Sequence, residues 1–286
     1  MTQTNAASRR TTGLDADHAA IAAACGEGVG LCTIVGIEGA FSRRLGAQLA
    51  VLPSGGTVGS LSDGCLERQL ASNLASCEGP HIVRYGKGSG KIDFRLPCGG
   101  GVDILLDPAP DRNAIRRVLD DITGRRATHL PLPSCPAMLR RHYLPPLRLR
   151  VFGEGPELEA VDRIAGAAGI ETQILCKSDL SLGRASTLPP GDRWTAVLLL
   201  FHDHDWEAPL IEEALASDAF YIGAQGGENA RLIRLAELMR RGVDEAEIAR
   251  LRSPVGAVPA CKTPQSLALS VVTEIVDLYE ALHDRD

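Results

Sequence analysis

The chain has no Cys-x-x-Cys pair, no surplus of positive charge and no apolar run approaching 20 residues, and each absence removes a class of protein. Its eight cysteines, at 25, 32, 65, 77, 98, 135, 176 and 261, are spread too widely for a zinc ribbon or a small disulfide scaffold. They read as reduced thiols of a cytoplasmic protein. Thirty Lys and Arg against 36 Asp and Glu give a net charge of −6. That leaves no basic stripe to follow a phosphate backbone, so nucleic acid is not an expected partner. A bilayer span needs about 20 apolar residues, and none is present. The sequence Ser8-Arg9-Arg10-Thr11-Thr12 has the look of a twin-arginine leader, but Asp15, Asp17 and His18 follow it and the apolar run Ala19 to Cys25 is short. It reads as a solvated tail before a first helix. No Gly-x-Ser-x-Gly elbow supports a hydrolase.

What is present is a 286-residue chain, 44% hydrophobic, long enough for two domains. Leu31 to Ile37, Gln48 to Leu52 and Thr57 to Ser60 read as strands, the last two joined by the Pro53-Ser54-Gly55-Gly56 turn. Leu66, Leu70 and Leu74 stand at helical spacing, which puts Cys65 at a helix amino end. His81 to Tyr85 and Val102 to Leu106 complete a small mixed α/β domain over residues 1–108. Prolines at 108, 110, 131, 133, 136, 145 and 146 mark residues 109–147 as a connecting segment, with one short helix from Ala114 to Asp121.

From residue 148 to 286 strands and helices alternate: strands 147–152, 172–176, 194–201 and 219–223, and helices through 158–168, 207–217, 228–241 and 265–282. Alternation with short turns, and the unbroken apolar run Trp194 to Phe201, predict an α/β, Rossmann-like, doubly wound parallel sheet.

Two glycine-rich loops carry cysteine, Gly59-Ser60-Leu61-Ser62-Asp63-Gly64-Cys65 and Leu96-Pro97-Cys98-Gly99-Gly100-Gly101. Glycine admits positive φ and close approach of a ligand, so these loops present a thiol rather than pack it. A soft thiolate suits a soft or sulfur-rich metal centre, or a persulfide. The other six cysteines read as small buried hydrophobes. Gly153-x-Gly155, between strand and helix, is half of a dinucleotide fingerprint. However, Leu158 fills the third position and Cys176 stands where an acidic ribose ligand belongs, with Asp179 three residues late and Lys177 available to a 2′-phosphate. NAD(P) is therefore a weaker candidate than an unoccupied turn. Phe201-His202-Asp203-His204-Asp205 lies at a strand's carboxyl end, where open α/β sheets bind ligands. Its residues suit a ligand-lining or capping role, with Asp205 as N-cap, better than a His202/His204 metal site. Gly223, in Tyr221-Ile222-Gly223-Ala224, marks another turn at the same edge. Thr263 and Pro264 read as N-cap and first residue of the last helix.

Taken in order, Phe41-Ser42-Arg43-Arg44-Leu45-Gly46-Ala47, Gly59 to Glu67, Leu96-Pro97-Cys98-Gly99-Gly100, Val151-Phe152-Gly153-Glu154-Gly155, His202 to Asp205, Tyr221 to Ala224 and Thr263 to Ser270 resemble the XdhC/CoxI family of molybdenum-enzyme accessory proteins. The resemblance runs from about residue 15 to 282. It implies a non-catalytic chaperone that binds molybdenum cofactor, as molybdopterin or its dinucleotide form. Such a chaperone supports sulfuration of the cofactor by a cysteine desulfurase. It then delivers the cofactor to an apo-hydroxylase of the xanthine dehydrogenase or aldehyde oxidase type. On this reading Gly46, Ala47, Ser60, Gly64, Cys65, Cys98, Gly99 and Gly100 hold the cofactor, Cys98 meets molybdenum or sulfur, and Gly153, Gly155, His202, His204 and Gly223 are further cofactor-binding residues in the second domain. A homodimer is expected. The family's Pro, Gly, small residue, Asp and Ser-Arg-Arg are replaced here by Leu45, Asp63, Leu158, Cys176 and Gly227-Glu228-Asn229, marking a divergent branch. The rival readings are an NAD(P)-dependent oxidoreductase with His202 or His204 as proton donor, and a pure interaction factor.

Overall fold

A computed structural model describes residues 16–62, 64–90 and 99–283, and the chain divides after residue 145 into two compact units. The first holds α1 (Ala16–Ala24), β1 (Gly30–Glu38), β2 (Gln48–Val51), β3 (Thr57–Gly59), α2 (Cys65–Ala75), β4 (His81–Gly86), β5 (Gly101–Asp107), α3 (Arg112–Thr123), β6 (Thr128–Pro131) and β7 (Arg140–Tyr143). Its sheet has the order β3-β2-β1-β5-β4 with every neighbouring pair antiparallel.

Alternation decides which residue faces which layer. Cys32, Ile34, Leu49, Ile104 and Leu106 pack with Leu66, Leu70 and Leu74 of α2. Leu31 and Ala50 meet Ile21 of α1, Ile115 and Val118 of α3, and Tyr143 of β7 on the other face. Each such buried aliphatic side chain contributes about 1.5–3 kcal/mol. Antiparallel pairing also fixes where the loops leave. The strands β1, β3 and β4 end, and β2 and β5 begin, at one end of the sheet, so the chain leaves it there after residues 38, 59 and 86 and re-enters at residues 48 and 101.

The proline-rich stretch is not a free connector. Asp111 caps α3 by accepting from the N–H groups of Asn113 and Ala114, and Ala114, Ile115, Val118 and Ile122 bury the face that holds it to the first unit. The β6–β7 hairpin tolerates Pro131 because a two-stranded ribbon leaves outer ladder positions unpaired. Residues 109–145 therefore belong to the first unit by packing.

The second unit contains β8 (Arg148–Gly153), α4 (Pro156–Ala167), β9 (Glu171–Leu175), β10 (Thr195–Leu200), α5 (Glu207–Leu215), β11 (Tyr221–Ala224), α6 (Glu228–Arg240), α7 (Glu245–Ile248), β12 (Leu251–Arg252) and α8 (Pro264–His283). The sheet is wholly parallel in the order β12-β11-β10-β8-β9, the doubly wound arrangement expected. Its two faces are covered by α4 and α8 and by α5, α6 and α7. Arg148 and Arg150, which interrupt the apolar pattern of β8, reach across to their register partners Glu171 and Gln173. The order reverses at β8 and β10, so the crevice beyond their carboxyl ends is where such a sheet takes ligands.

Candidate functional site

In the first unit the described parts of the three glycine-bearing segments expected to hold a ligand lie at one end of the sheet. Arg43 links two of them, its Nε donating to the Ser60 carbonyl at 3.1 Å and its Nη2 to Ser60 Oγ at 3.0 Å. The third reaches the same end through Gly100, whose carbonyl accepts from Lys87 N–H at 2.9 Å. A Cβ placed on Gly39 would lie 3.6 Å from the Gly100 Cα, so the backbones of the first and third segments run side by side. Cys98 lies outside the described residues. Gly99, at φ +68, is exposed, with no atom of the described residues within 4 Å of a Cβ position.

Cys65 is exposed and is the first residue of α2. Arg68, one turn on, donates from Nη2 to its sulfur at 3.3 Å. Gly64 makes this placement possible: its φ is +94, disfavoured for any residue with a Cβ, and the space beside it is open. Glu67 fixes the loop. Its buried carboxylate accepts from the N–H groups of Leu61 (3.0 Å), Ser62 (2.6 Å) and Gly64 (2.7 Å). These three loop donors are thus already engaged by Glu67 rather than free for a phosphate, and the loop presents the thiol. Glu67 has no role in the sequence reading, although its position three residues after Gly64 is capping-box spacing.

Gly46 has a structural duty as well. At φ +83 its Cβ position lies 2.6 Å from Arg141 Cδ, and its carbonyl accepts from Arg141 Nε at 2.7 Å. Arg141 is buried, pairs with Asp17 at 3.0 Å and lies 4.7 Å from the Tyr143 ring. Asp17 accepts in turn from Gln48 N–H, and the Gln48 side chain bonds Thr33 and Tyr143. Ala47 is core, 2% exposed. Asp17 and Arg141 were not predictable as partners, because 124 residues separate them.

Positive charge at this end is partly committed. Arg84 contacts Glu38 and Asp103, and Lys87 meets Glu38 at 2.8 Å, which holds the Glu38 carboxyl below its usual range. Arg43 bonds backbone and hydroxyl oxygens instead.

In the second unit Gly153 ends β8, and a Cβ there would stand 2.8 Å from Leu200 Cβ. Gly155 is the N-cap of α4 at φ +84, and Pro156 follows in the first turn. Gly223 is buried within β11, where a Cβ would meet the Tyr221 ring and Val255 at 2.7 Å. Packing thus explains Gly153 and Gly223. His202 is exposed with Nε2 3.8 Å from Glu157 Oε2, and His204 opens a short 3-10 turn. Asp203 accepts from Asp205 N–H within that turn, and the N-cap of α5 is Trp206, with no side-chain cap, rather than Asp205 as expected. Thr263 does cap α8, accepting from Ser266 N–H at 3.1 Å. Burial, with Asp179 and Glu154 nearby, pushes the Cys176 thiol up. Among the described residues no group of three or more His, Cys, Asp or Glu could hold a metal ion.

Comparison with known proteins agrees with this architecture. Residues 22–86 match the model described as the XdhC and CoxI family, and residues 149–275 match the XdhC Rossmann domain. The chain is 32% identical over 272 residues to the molybdenum cofactor insertion chaperone PaoD of Escherichia coli K12, covering 88% of this chain and 84% of PaoD. An 84-residue stretch is 36% identical to the uncharacterized protein YqeB of the same organism, covering 29% of this chain and 15% of YqeB. The fold is shared with the crystal structure of a xanthine dehydrogenase from Bacillus halodurans, with a TM-score of 0.71 and 20% identity over 93% of this chain and 96% of that one. With matching models in both units and a relative similar along nearly the whole length, the chain belongs to the XdhC and CoxI family.

Proposed function

We propose that this protein is an accessory chaperone that binds molybdenum cofactor as cargo and inserts it into a molybdenum hydroxylase, with no turnover of its own. The observation that carries the reading is the likeness to the PaoD insertion chaperone along 272 residues, joined to one end of a sheet where three glycine segments and the Cys65 thiol meet. The donor set there suits the cargo. An exposed soft thiol can approach molybdenum or its sulfur ligand, Arg68 and Arg43 supply positive charge for a phosphate, and no described atom lies within 4 Å of a Cβ built on Gly64 or Gly99. Cys98, adjoining Gly99, is assigned the direct contact with molybdenum or sulfur. The cofactor supplies oxo-transfer chemistry to the client; the chain's own residues bind and orient it.

In this scheme a cysteine desulfurase exchanges one molybdenum oxo ligand for sulfur while the chaperone holds the cofactor, in mononucleotide or dinucleotide form. A xanthine dehydrogenase or aldehyde oxidase-type apo-enzyme then receives it. Work as a cytoplasmic homodimer fits the scheme, and the seven free cysteines among the described residues accord with a reducing compartment. No described helix is long and apolar enough to cross a membrane.

The test is transfer. Cofactor-loaded protein, mixed with such an apo-hydroxylase and a cysteine desulfurase, is expected to restore substrate-dependent activity faster than free cofactor does. Equal rates with and without the protein would contradict the assignment.

A further inference from the structure

The parallel sheet and its glycine turn imply a dinucleotide by fold alone, yet the residues at that turn do not suit one. In a dinucleotide site the second glycine leaves room for the pyrophosphate, and the helix amino end faces it with free N–H groups. Here a carboxylate stands beside the turn: the atom nearest to a Cβ built on Gly155 is Glu157 Oε2, at 3.7 Å, an ordinary contact distance. That oxygen is buried and accepts no hydrogen bond among the described residues. His202 Nε2, 3.8 Å away, stands beyond hydrogen-bond reach.

We infer that Glu157 closes the Rossmann turn of this chain to pyrophosphate, its buried carboxylate in the first turn of α4 setting a negative charge beside Gly155. The surroundings act in the same direction. Pro156 removes one N–H from the first turn. Lys177, the residue placed to neutralise a phosphate, is held between Asp203 at 3.4 Å and Glu154 at 3.8 Å, and lies 5.5 Å from the Trp206 ring. Asp179, the nearest substitute for the missing ribose ligand, accepts from Cys176 N–H at 2.9 Å. A pyrophosphate would therefore enter beside the carboxylates of Glu154, Glu157 and Asp203, and like charges brought together oppose binding. Gly153 and Gly155 persist for packing and for backbone conformation.

This inference is independent of the chaperone assignment, since it concerns only what the second unit refuses. It is tested by fluorescence titration with NADPH and calorimetric titration with NADH, using the full chain, Glu157→Gln and Glu157→Ala, with thermal melts to verify folding. The unaltered protein is expected to show no saturable binding at about 1 mM. Glu157→Gln, which removes charge and keeps bulk, should gain affinity. Glu157→Ala, which removes both, should gain at least about tenfold over the unaltered protein. Micromolar binding by the unaltered protein would overturn the inference. A folded Glu157→Ala that still binds neither nucleotide would overturn it equally, because the carboxylate would not then be the barrier.

Discussion

The cysteines of this chain divide by environment. Cys65 is exposed beside Arg68 at a helix amino end, whereas Cys32 is fully buried against α2 and its thiol is pushed from an ordinary 9.0 up to about 12, by burial first and then by Cys77 and Asp107. The buried thiol has a consequence for stability. Above pH 9 the unfolded chain releases the Cys32 proton while the folded chain retains it, so the folded state binds more protons and loses stability as pH rises toward about 12. The loss attributable to this group is at most about 1.4 kcal/mol per pH unit. Tyr143, also raised by burial, acts in the same sense at higher pH. Urea unfolding at pH 8, 9.5 and 11 is expected to show this decline, and Cys32→Ala should be less stable at pH 8 but decline less steeply. Parallel slopes for the two proteins would remove Cys32 as the cause.

At the level of elements, most of the fold was legible because the apolar spacing is regular. The leucines of α2 and the run Trp194 to Phe201 each declare their period and burial. The hairpin of β6 and β7 was not legible: its prolines imitate a connector, and what fixes it is Arg141 reaching Gly46 and Asp17, residues far away in sequence. The ion pair joining α6 to α5 was hidden for the same reason. Arg234 donates to both oxygens of Glu207 at 3.0 Å, to the Gln225 carbonyl and to Ser253 Oγ, with both charged side chains 2% exposed. Removing one partner strands the other charge in the interior. Arg234→Met is expected to cost about 3–5 kcal/mol, and the double variant with Glu207→Leu less than the sum of the two single changes. Denaturant melts of the four proteins check it, and simple additivity would show that the pair is not coupled.

For the whole molecule, family membership accords with the sequence motifs, but a motif alone does not say what each of its residues does. Gly46, Gly153 and Gly223 sit in motifs that point to ligand binding, and the structure gives each a packing reason. Glu67 attracted no functional reading, yet it holds the loop that presents Cys65. A glycine's purpose depends on what approaches its missing Cβ, and a carboxylate's on which N–H groups surround it, and both are tertiary facts. What remains is whether the end of the antiparallel sheet holds the cargo. The most direct measurement is the molybdenum and oxidised-pterin content of the protein purified anaerobically from cofactor-producing cells, beside Cys65→Ser, Cys98→Ser and Cys25→Ser. The account predicts cofactor in the unaltered protein and in Cys25→Ser, with severalfold loss in Cys98→Ser and a smaller loss in Cys65→Ser. Full retention in both loop variants, or no cofactor in any of the four while the cells make it, would contradict the account.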